Sequence, residues 1–240
     1  MGSAPAGRLS TTASGTAVTR SAWTFQHLRS AAYLAGRASA FEPGSGFPAP
    51  VDVDTRYVAF STGAIIEAAC TLESAINELR SDMEIPTDRT LGKTVLEVPT
   101  MRRLWQTVDR LNPLDKVQWI LLLGRCEPFD QGSDPFQAAS DVMAIRNELV
   151  HFKAQWTEDA QVSQRLEQRL SGKFPVSGWA APSQLFFPYR CVGAGAANWA
   201  WRSVRSLLID FYQRLGTVWP LANLNPQIEA AFGLGAEERQ

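Results

Sequence analysis

The chain has 240 residues and a formal net charge of −1, with 45% hydrophobic and 20% charged residues. This length suffices for one well-buried domain with extensions, but hardly for two full domains. The near-neutral charge argues against a protein that coats nucleic acid through a broad basic field, although a local site could still hold phosphate.

The cysteines and histidines argue against a disulfide framework and against a metal centre. The three cysteines are odd in number and far apart, so we interpret Cys70, Cys126 and Cys191 as buried reduced thiols. The only histidines are His27 and His151, and no CxxC or HxxxH spacing is present. We therefore expect no metal and no cofactor, and we interpret His27 as a surface or satisfied core residue.

The two ends of the chain predict segments outside one packed domain. Residues 1–18 consist mostly of Gly, Ala, Ser and Thr without periodicity, which predicts a disordered leader with no apolar signal segment. The longest apolar run, 119–123, is too short to span a bilayer. We expect a single helical domain over 19–218 and a C-terminal tail over 219–240, in a cytoplasmic protein with no membrane association.

The first two predicted helices are separated by a loop rich in proline. Spacing of apolar residues predicts a helix over about 19–41, and the prolines and glycines of 42–54 predict a loop. A longer helix is predicted over about 55–83, because its apolar residues step by four and three, as they do in helix bundles. These residues are Ile65, Ala69, Leu72, Ile76 and Leu79.

Two sets of charged residues lie outside these apolar patterns. Glu67, Glu73 and Glu78 lie off the apolar seam; such charges usually form a solvated face, but one carboxylate could orient an Arg or a His. A short basic helix is predicted over 101–111. Its Arg102 and Arg103 are either candidate phosphate contacts or another solvated face.

Two Asn-Pro or Asp-Pro pairs predict helix starts. Asn112 can cap a helix that begins at Pro113 and ends near Gly124. Asp134 precedes Pro135 in the same way, so a second helix is predicted from there to about Trp156.

The part of the chain after this helix predicts an irregular excursion from the bundle and one more long helix. Residues 158–190 contain several Gly and Pro, with one charged helix predicted over 161–170. The last helix is predicted to end at Gly216. Its apolar residues are Ala197, Trp201, Val204, Leu208, Phe211 and Leu215. The predicted class is all-α: an up-and-down bundle of four to five long helices, with the excursion before the last one.

The helix that begins after Pro135 carries two distinct faces. One face is an apolar stripe directed at a core, formed by Ala138, Val142, Ile145, Leu149, Phe152 and Trp156. The opposite face combines two apolar with three polar residues, namely Met143, Val150, Arg146, Asn147 and His151. A polar trio around an apolar patch suggests a covering partner, and a second copy of the same helix is the economical choice. Met143 and Val150 are therefore candidate interface residues of a homodimer.

The arrangement Arg146-Asn147-x-x-x-His151 resembles the signature of the HEPN superfamily. Members of that superfamily are small helical bundles that carry Rx4–6H, commonly with a polar residue after the Arg. The neighbouring pattern is also similar, with a preceding helix of AIIEAACTLESAINEL texture and a closing helix after the motif. In texture more than in identity, the resemblance covers most of residues 20–217.

The resemblance implies a metal-independent endoribonuclease whose two motif helices meet in a homodimer to form one composite site. RNA supplies its own nucleophile, the 2′-OH, so cleavage requires a proton acceptor or donor and a cation for the developing charge. His151 suits the first role and Arg146 the second. Asn147 could fix the His ring or bind a phosphate oxygen.

The expected setting of such a ribonuclease is a toxin–antitoxin, anti-phage or stress system, with an antitoxin or other regulatory protein as a partner. One alternative remains open. In it, Arg146, Asn147 and His151 only form a polar network across a helix interface, in a catalytically silent module that binds a protein or nucleotide. HEPN toxins paired with a nucleotidyltransferase antitoxin often carry a Tyr two residues after the His, as the site of nucleotide attachment, but Lys153 occupies that position here. Together with Arg102 and Arg103, Lys153 is a candidate substrate-binding residue.

Overall fold

The predicted all-α class is confirmed. A computed structural model describes the chain over 9–11, 17–19, 22–43, 54–84, 105, 107–154, 156 and 159–222, with the backbone alone described for 9–11, 17–19 and 82–84. A short antiparallel pair of strands lies within and just beyond the predicted leader, β1 (Leu9–Thr11) and β2 (Ala17–Thr19), with Leu9 opposite Thr19. The leader's other residues lie outside the described part.

Six α-helices of the described part have bounds that the structure defines. They are α1 (Thr24–Ala40), α2 (Thr55–Glu84), α3 (Pro113–Leu123), α4 (Phe136–Val150), α5 (Gln161–Leu170) and α6 (Ala194–Arg214). A wide helical turn, Phe186–Arg190, lies between α5 and α6. Helices α1, α2 and α6 pack against one another, α4 packs against α2 and α6, and α5 lies mainly on the wide turn. None of the described helices is long and apolar enough to cross a bilayer.

The apolar seams of α2 and α6 form the centre of the bundle, as predicted. All five seam residues of α2 are at most 2% exposed, and all six of α6 are at most 3% exposed. Helix α6 ends at Arg214, with Leu215 at the cap position. Gly216 follows, and its φ of 72° is the left-handed conformation that favours glycine after a helix. Trp219, from the predicted tail, is also buried in this core.

The start of α3 follows the predicted capping chemistry. The side chain of Asn112 accepts a hydrogen bond from the Asp115 N–H at 2.9 Å, and Pro113 occupies the first turn. The helix ends at Leu123 with Gly124 at the cap position, which agrees with the predicted end near Gly124. Upstream, residues 105, 107 and 108 of the predicted basic helix are helical, whereas Arg102 and Arg103 lie outside the described residues.

Helix α4 differs from its prediction at both ends. Asp134 does not cap it; Pro135 holds the cap position without any side-chain cap bond. The helix ends at Val150 rather than near Trp156, so Phe152 and Trp156 leave the apolar stripe and are 51% and 86% exposed. Leu166 and Leu170 of α5 lie in the core instead of Phe152 and Trp156.

A buried carboxylate on α4 forms ion pairs with residues at the end of α5 and just beyond it. Asp141 is 0% exposed, and it accepts hydrogen bonds from Arg169 at the end of α5 and from Lys173 Nζ at 2.6 Å just beyond it. A fully buried charge must be compensated by partners of opposite sign. The excursion is thus tied to the bundle by ions as well as by apolar packing.

The three thiols are free, and they differ in burial. Only Cys191 is fully buried, and that burial raises the pKa of its thiol to about 12. Cys70 and Cys126 are partly exposed, so the prediction of three buried thiols is correct for Cys191 alone.

Replacing Gly195 with alanine is expected to destabilise the fold by about 1–3 kcal/mol, although alanine is the better helix former. A Cβ at Gly195 would lie 2.2 Å from the carbonyl oxygen of Pro175, a backbone atom that cannot move aside freely. The free energy of unfolding in urea measures this loss. Gly132→Ala is the control, because its Cβ would meet only the Asp130 carboxylate at 3.5 Å; equal stability of both variants would contradict the prediction.

Candidate functional site

The three residues predicted as catalytic gather at the C-terminal end of α4. Arg146 and Asn147 lie in its last turn, and His151 holds the cap position, where its N–H donates to the Asn147 carbonyl oxygen at 2.9 Å. His151 therefore lies at the end of the helix, not within it. Asn147 and His151 are exposed, whereas Arg146 is half-buried.

The Arg146 guanidinium is held from two sides. Its Nη2 lies 3.3 Å from Glu73 Oε1 on α2, and its Nη1 donates to Asn147 Oδ1 at 3.0 Å. Its Nε is buried without a hydrogen-bond partner in the described part. A partly exposed ion pair contributes only about 0–1 kcal/mol to stability. The contacts matter because they set the orientation of the guanidinium, which binds phosphate through a planar fork.

The three glutamates that lie off the apolar seam of α2, namely Glu67, Glu73 and Glu78, do not form a solvated face. Glu73 contacts Arg146, as described above, and Glu67 Oε2 lies 2.7 Å from His27 Nδ1 on α1. Glu78 Oε1 accepts the Thr24 N–H at 2.7 Å at the start of α1. Two of these carboxylates therefore contact an Arg or a His, namely Glu73 with Arg146 and Glu67 with His27.

Cys70 lies near three of these charged residues. Burial raises the pKa of the thiol above its ordinary value, and the nearby Glu73 and Glu67 raise it further. The positive charge of Arg146 acts in the opposite direction. The raised pKa keeps the Cys70 thiol protonated and therefore poorly nucleophilic near neutral pH.

His151 lies free at the edge of this cluster. Within the described part of the chain, its side chain forms no hydrogen bond, ion pair or ring contact. The Oδ1 atom of Asn147 is used by Arg146 and not by the imidazole. The ring of His151 is therefore accessible to a substrate or to a second protein chain.

The remaining predicted residues lie in different surroundings. Lys153 is exposed, two residues beyond His151. Val150 is 51% exposed, consistent with a surface position. Met143 is 9% exposed and packs in the core of its own chain, which corrects its predicted place on a surface. The reason is that α4 packs against both α2 and α6, so that more than one face of the helix is covered.

Among the described residues, no three side chains of His, Cys, Asp or Glu form a group that could hold a metal ion. Comparison with protein-family models, with curated proteins and with solved structures finds no match to this chain. The residues of the α4 terminus and their geometry are therefore the basis for a functional proposal.

Proposed function

We propose that this protein is a metal-independent endoribonuclease of the HEPN type, which cleaves cytoplasmic RNA at a composite site in a homodimer. One observation carries the proposal: Arg146, Asn147 and His151 all lie at the C-terminal end of α4, with the guanidinium oriented by Glu73 and the imidazole exposed. A toxin–antitoxin, anti-phage or stress system is the proposed setting, with an antitoxin or other regulatory protein as partner.

The chemistry uses only groups of the chain and of RNA. His151 takes the proton of a 2′-OH or supplies one to the leaving oxygen. The 2′ oxygen bonds to phosphorus as the bond to the 5′ oxygen breaks, which leaves a 2′,3′-cyclic phosphate and a 5′-hydroxyl. Arg146 stabilises the charge that develops on the phosphate oxygens. Asn147 holds the guanidinium through its Oδ1 and has its amide N–H groups left for a phosphate oxygen.

The dimer supplies a second set of these groups. Val150 is an exposed apolar side chain between Asn147 and His151, at the place where a two-fold axis would bring two α4 termini together. In such a pair, each protomer contributes an Arg and a His to one phosphate track. Burial of Val150 against its copy would then stabilise the arrangement.

Replacing Val150 with glutamate is expected to give a monomer and to abolish cleavage, because the two-fold axis would bury two like charges together. Sedimentation velocity measures the oligomeric state. The matched control is Val218→Glu, which places the same charge at a valine that is 65% exposed and lies outside α4. A Val150→Glu protein that remains a dimer would overturn the proposed interface.

The proposed activity is tested by incubating the purified protein with a mixed RNA pool in EDTA. Cleavage that leaves 2′,3′-cyclic phosphate ends is the expected result, and RNA with a 2′-deoxy sugar at the cleaved position should resist. Products with 3′-hydroxyl ends, or no cleavage in EDTA when Mg²⁺ permits it, would contradict metal-independent attack by the 2′-OH.

The ion pair between Arg146 and Glu73 favours a second candidate function. Because Glu73 partly neutralises the guanidinium, the cluster also suits a catalytically silent module that dimerises or binds a protein or nucleotide. The two candidates differ in one result: the silent module binds its partner without breaking any phosphodiester bond, and its Arg146→Ala variant loses binding or dimerisation alone.

A further inference from the structure

Two large aromatic side chains lie exposed directly after His151. Phe152 is 51% exposed and Trp156 is 86% exposed, and they belong to the five-residue segment that follows the histidine. Apolar rings on a surface have a cost in water unless they are covered by something. Both rings closely follow the proposed catalytic histidine in sequence, so the substrate is a candidate to cover them.

The Phe152 ring packs against a buried residue of the core. It contacts the ring of Phe187, with 6.2 Å between the centroids. Phe187 is buried, and its N–H donates to the Ser163 hydroxyl at 3.0 Å, so it is a fixed support. One part of the Phe152 ring is thus held in place while the rest faces solvent, which is the arrangement of a preformed stacking surface.

The charges of this segment suit a polyanion. His151 and Lys153 flank Phe152, and Arg146 lies in the last turn of α4. No Asp or Glu occurs between Glu148 and Glu158, and the Glu148 carboxylate already contacts Arg165. Between Glu148 and Glu158, Lys153 is the one side chain with a full charge, and it lies between the two aromatic residues in sequence. Aromatic rings beside a cation are typical of surfaces that bind single-stranded nucleic acid.

We propose that Phe152 and Trp156 bind the RNA by stacking against its bases beside the scissile phosphate. This inference rests on the proposed ribonuclease function and adds how that site holds its substrate. Bases can stack on side chains only when they are unpaired, so the surface selects single-stranded segments. Phe152 directly follows His151, and neighbouring Cα atoms are about 3.8 Å apart, so the two side chains can contact the same stretch of RNA.

A second protein chain is the less suitable occupant of this surface. The proposed two-fold contact at Val150 requires apolar burial, whereas Lys153 would bring a charge into such an interface beside Phe152. The same lysine is favourable beside a phosphate. Charge complementarity therefore assigns the aromatic pair to RNA.

The first test measures binding of a single-stranded 2′-O-methyl oligonucleotide, which cannot be cleaved, by fluorescence anisotropy. Trp156→Ala and Phe152→Ala are each expected to weaken binding about 5-fold to 100-fold. Phe152→Tyr should retain the affinity, whereas Phe152→Leu, which keeps the apolar character without the aromatic ring, should not. Trp119→Ala, at an exposed tryptophan of α3, is the matched control and should bind like the native chain.

The second test separates this inference from the proposed function. With cleavable RNA, Trp156→Ala is expected to raise KM and to leave kcat unchanged. Three results would overturn the stacking surface and leave the nuclease intact. They are an unchanged KM for Trp156→Ala, equal affinity of the native protein for a duplex of the same sequence, and dissociation of the dimer by Trp156→Ala. Binding that depends on both rings without any cleavage would support the stacking surface and contradict the nuclease.

Discussion

His151→Ala is expected to lower the rate of RNA cleavage about 10²-fold to 10⁴-fold, the usual contribution of a positioned general acid or base. The stability of the fold should be unchanged, because the His151 side chain is exposed and has no partner within the described residues. Single-turnover cleavage in EDTA measures the rate, and thermal unfolding confirms that the variant is folded.

The second histidine offers the matched control. His27→Ala removes a contact with Glu67 on the neighbouring helix, outside the proposed catalytic group, so cleavage should continue at the native rate. Arg146→Lys is a companion variant: it keeps the positive charge but loses the bidentate fork, and we expect a rate close to that of Arg146→Ala. Native-like cleavage by His151→Ala would show that another residue transfers the proton.

Asp141→Ala is expected to lower the free energy of unfolding by about 3 kcal/mol, the low end of the range for breaking a buried ion pair. Asp141 is 0% exposed, and its loss leaves the ammonium of Lys173 and the guanidinium of Arg169 without their anion. Both cations are partly exposed and can turn toward water, which moderates the cost. Urea unfolding with linear extrapolation measures the change.

A matched ion pair joins the same two helices at the surface. Glu148 lies on α4 and contacts Arg165 on α5, and the arginine side chain is 58% exposed. Glu148→Ala should therefore cost less than about 1 kcal/mol. If both variants lost the same stability, burial of Asp141 would not be what makes its ion pairs important.

The helices could be predicted wherever a repeated signal or a capping residue decided the local structure. Apolar steps of three and four marked the buried faces of α2 and α6, and the Asn112-Pro113 pair marked the start of α3. The Arg146-Asn147-x-x-x-His151 spacing also identified the candidate site, because residues so close in sequence must lie near one another on or beside one helix.

What the sequence could not determine depends on partners far away along the chain. Helix α4 ends at Val150, which places His151 at the cap and leaves Phe152 and Trp156 exposed, while residues of α5 fill the core. The pairing of Glu73 with Arg146 joins residues of two helices that only tertiary packing brings together. By itself, the sequence determined the helical class, the buried seams and the identity of the candidate residues. The tertiary structure decided which of their side chains are buried, paired or exposed, because burial is a property of the packed helices and not of any one segment.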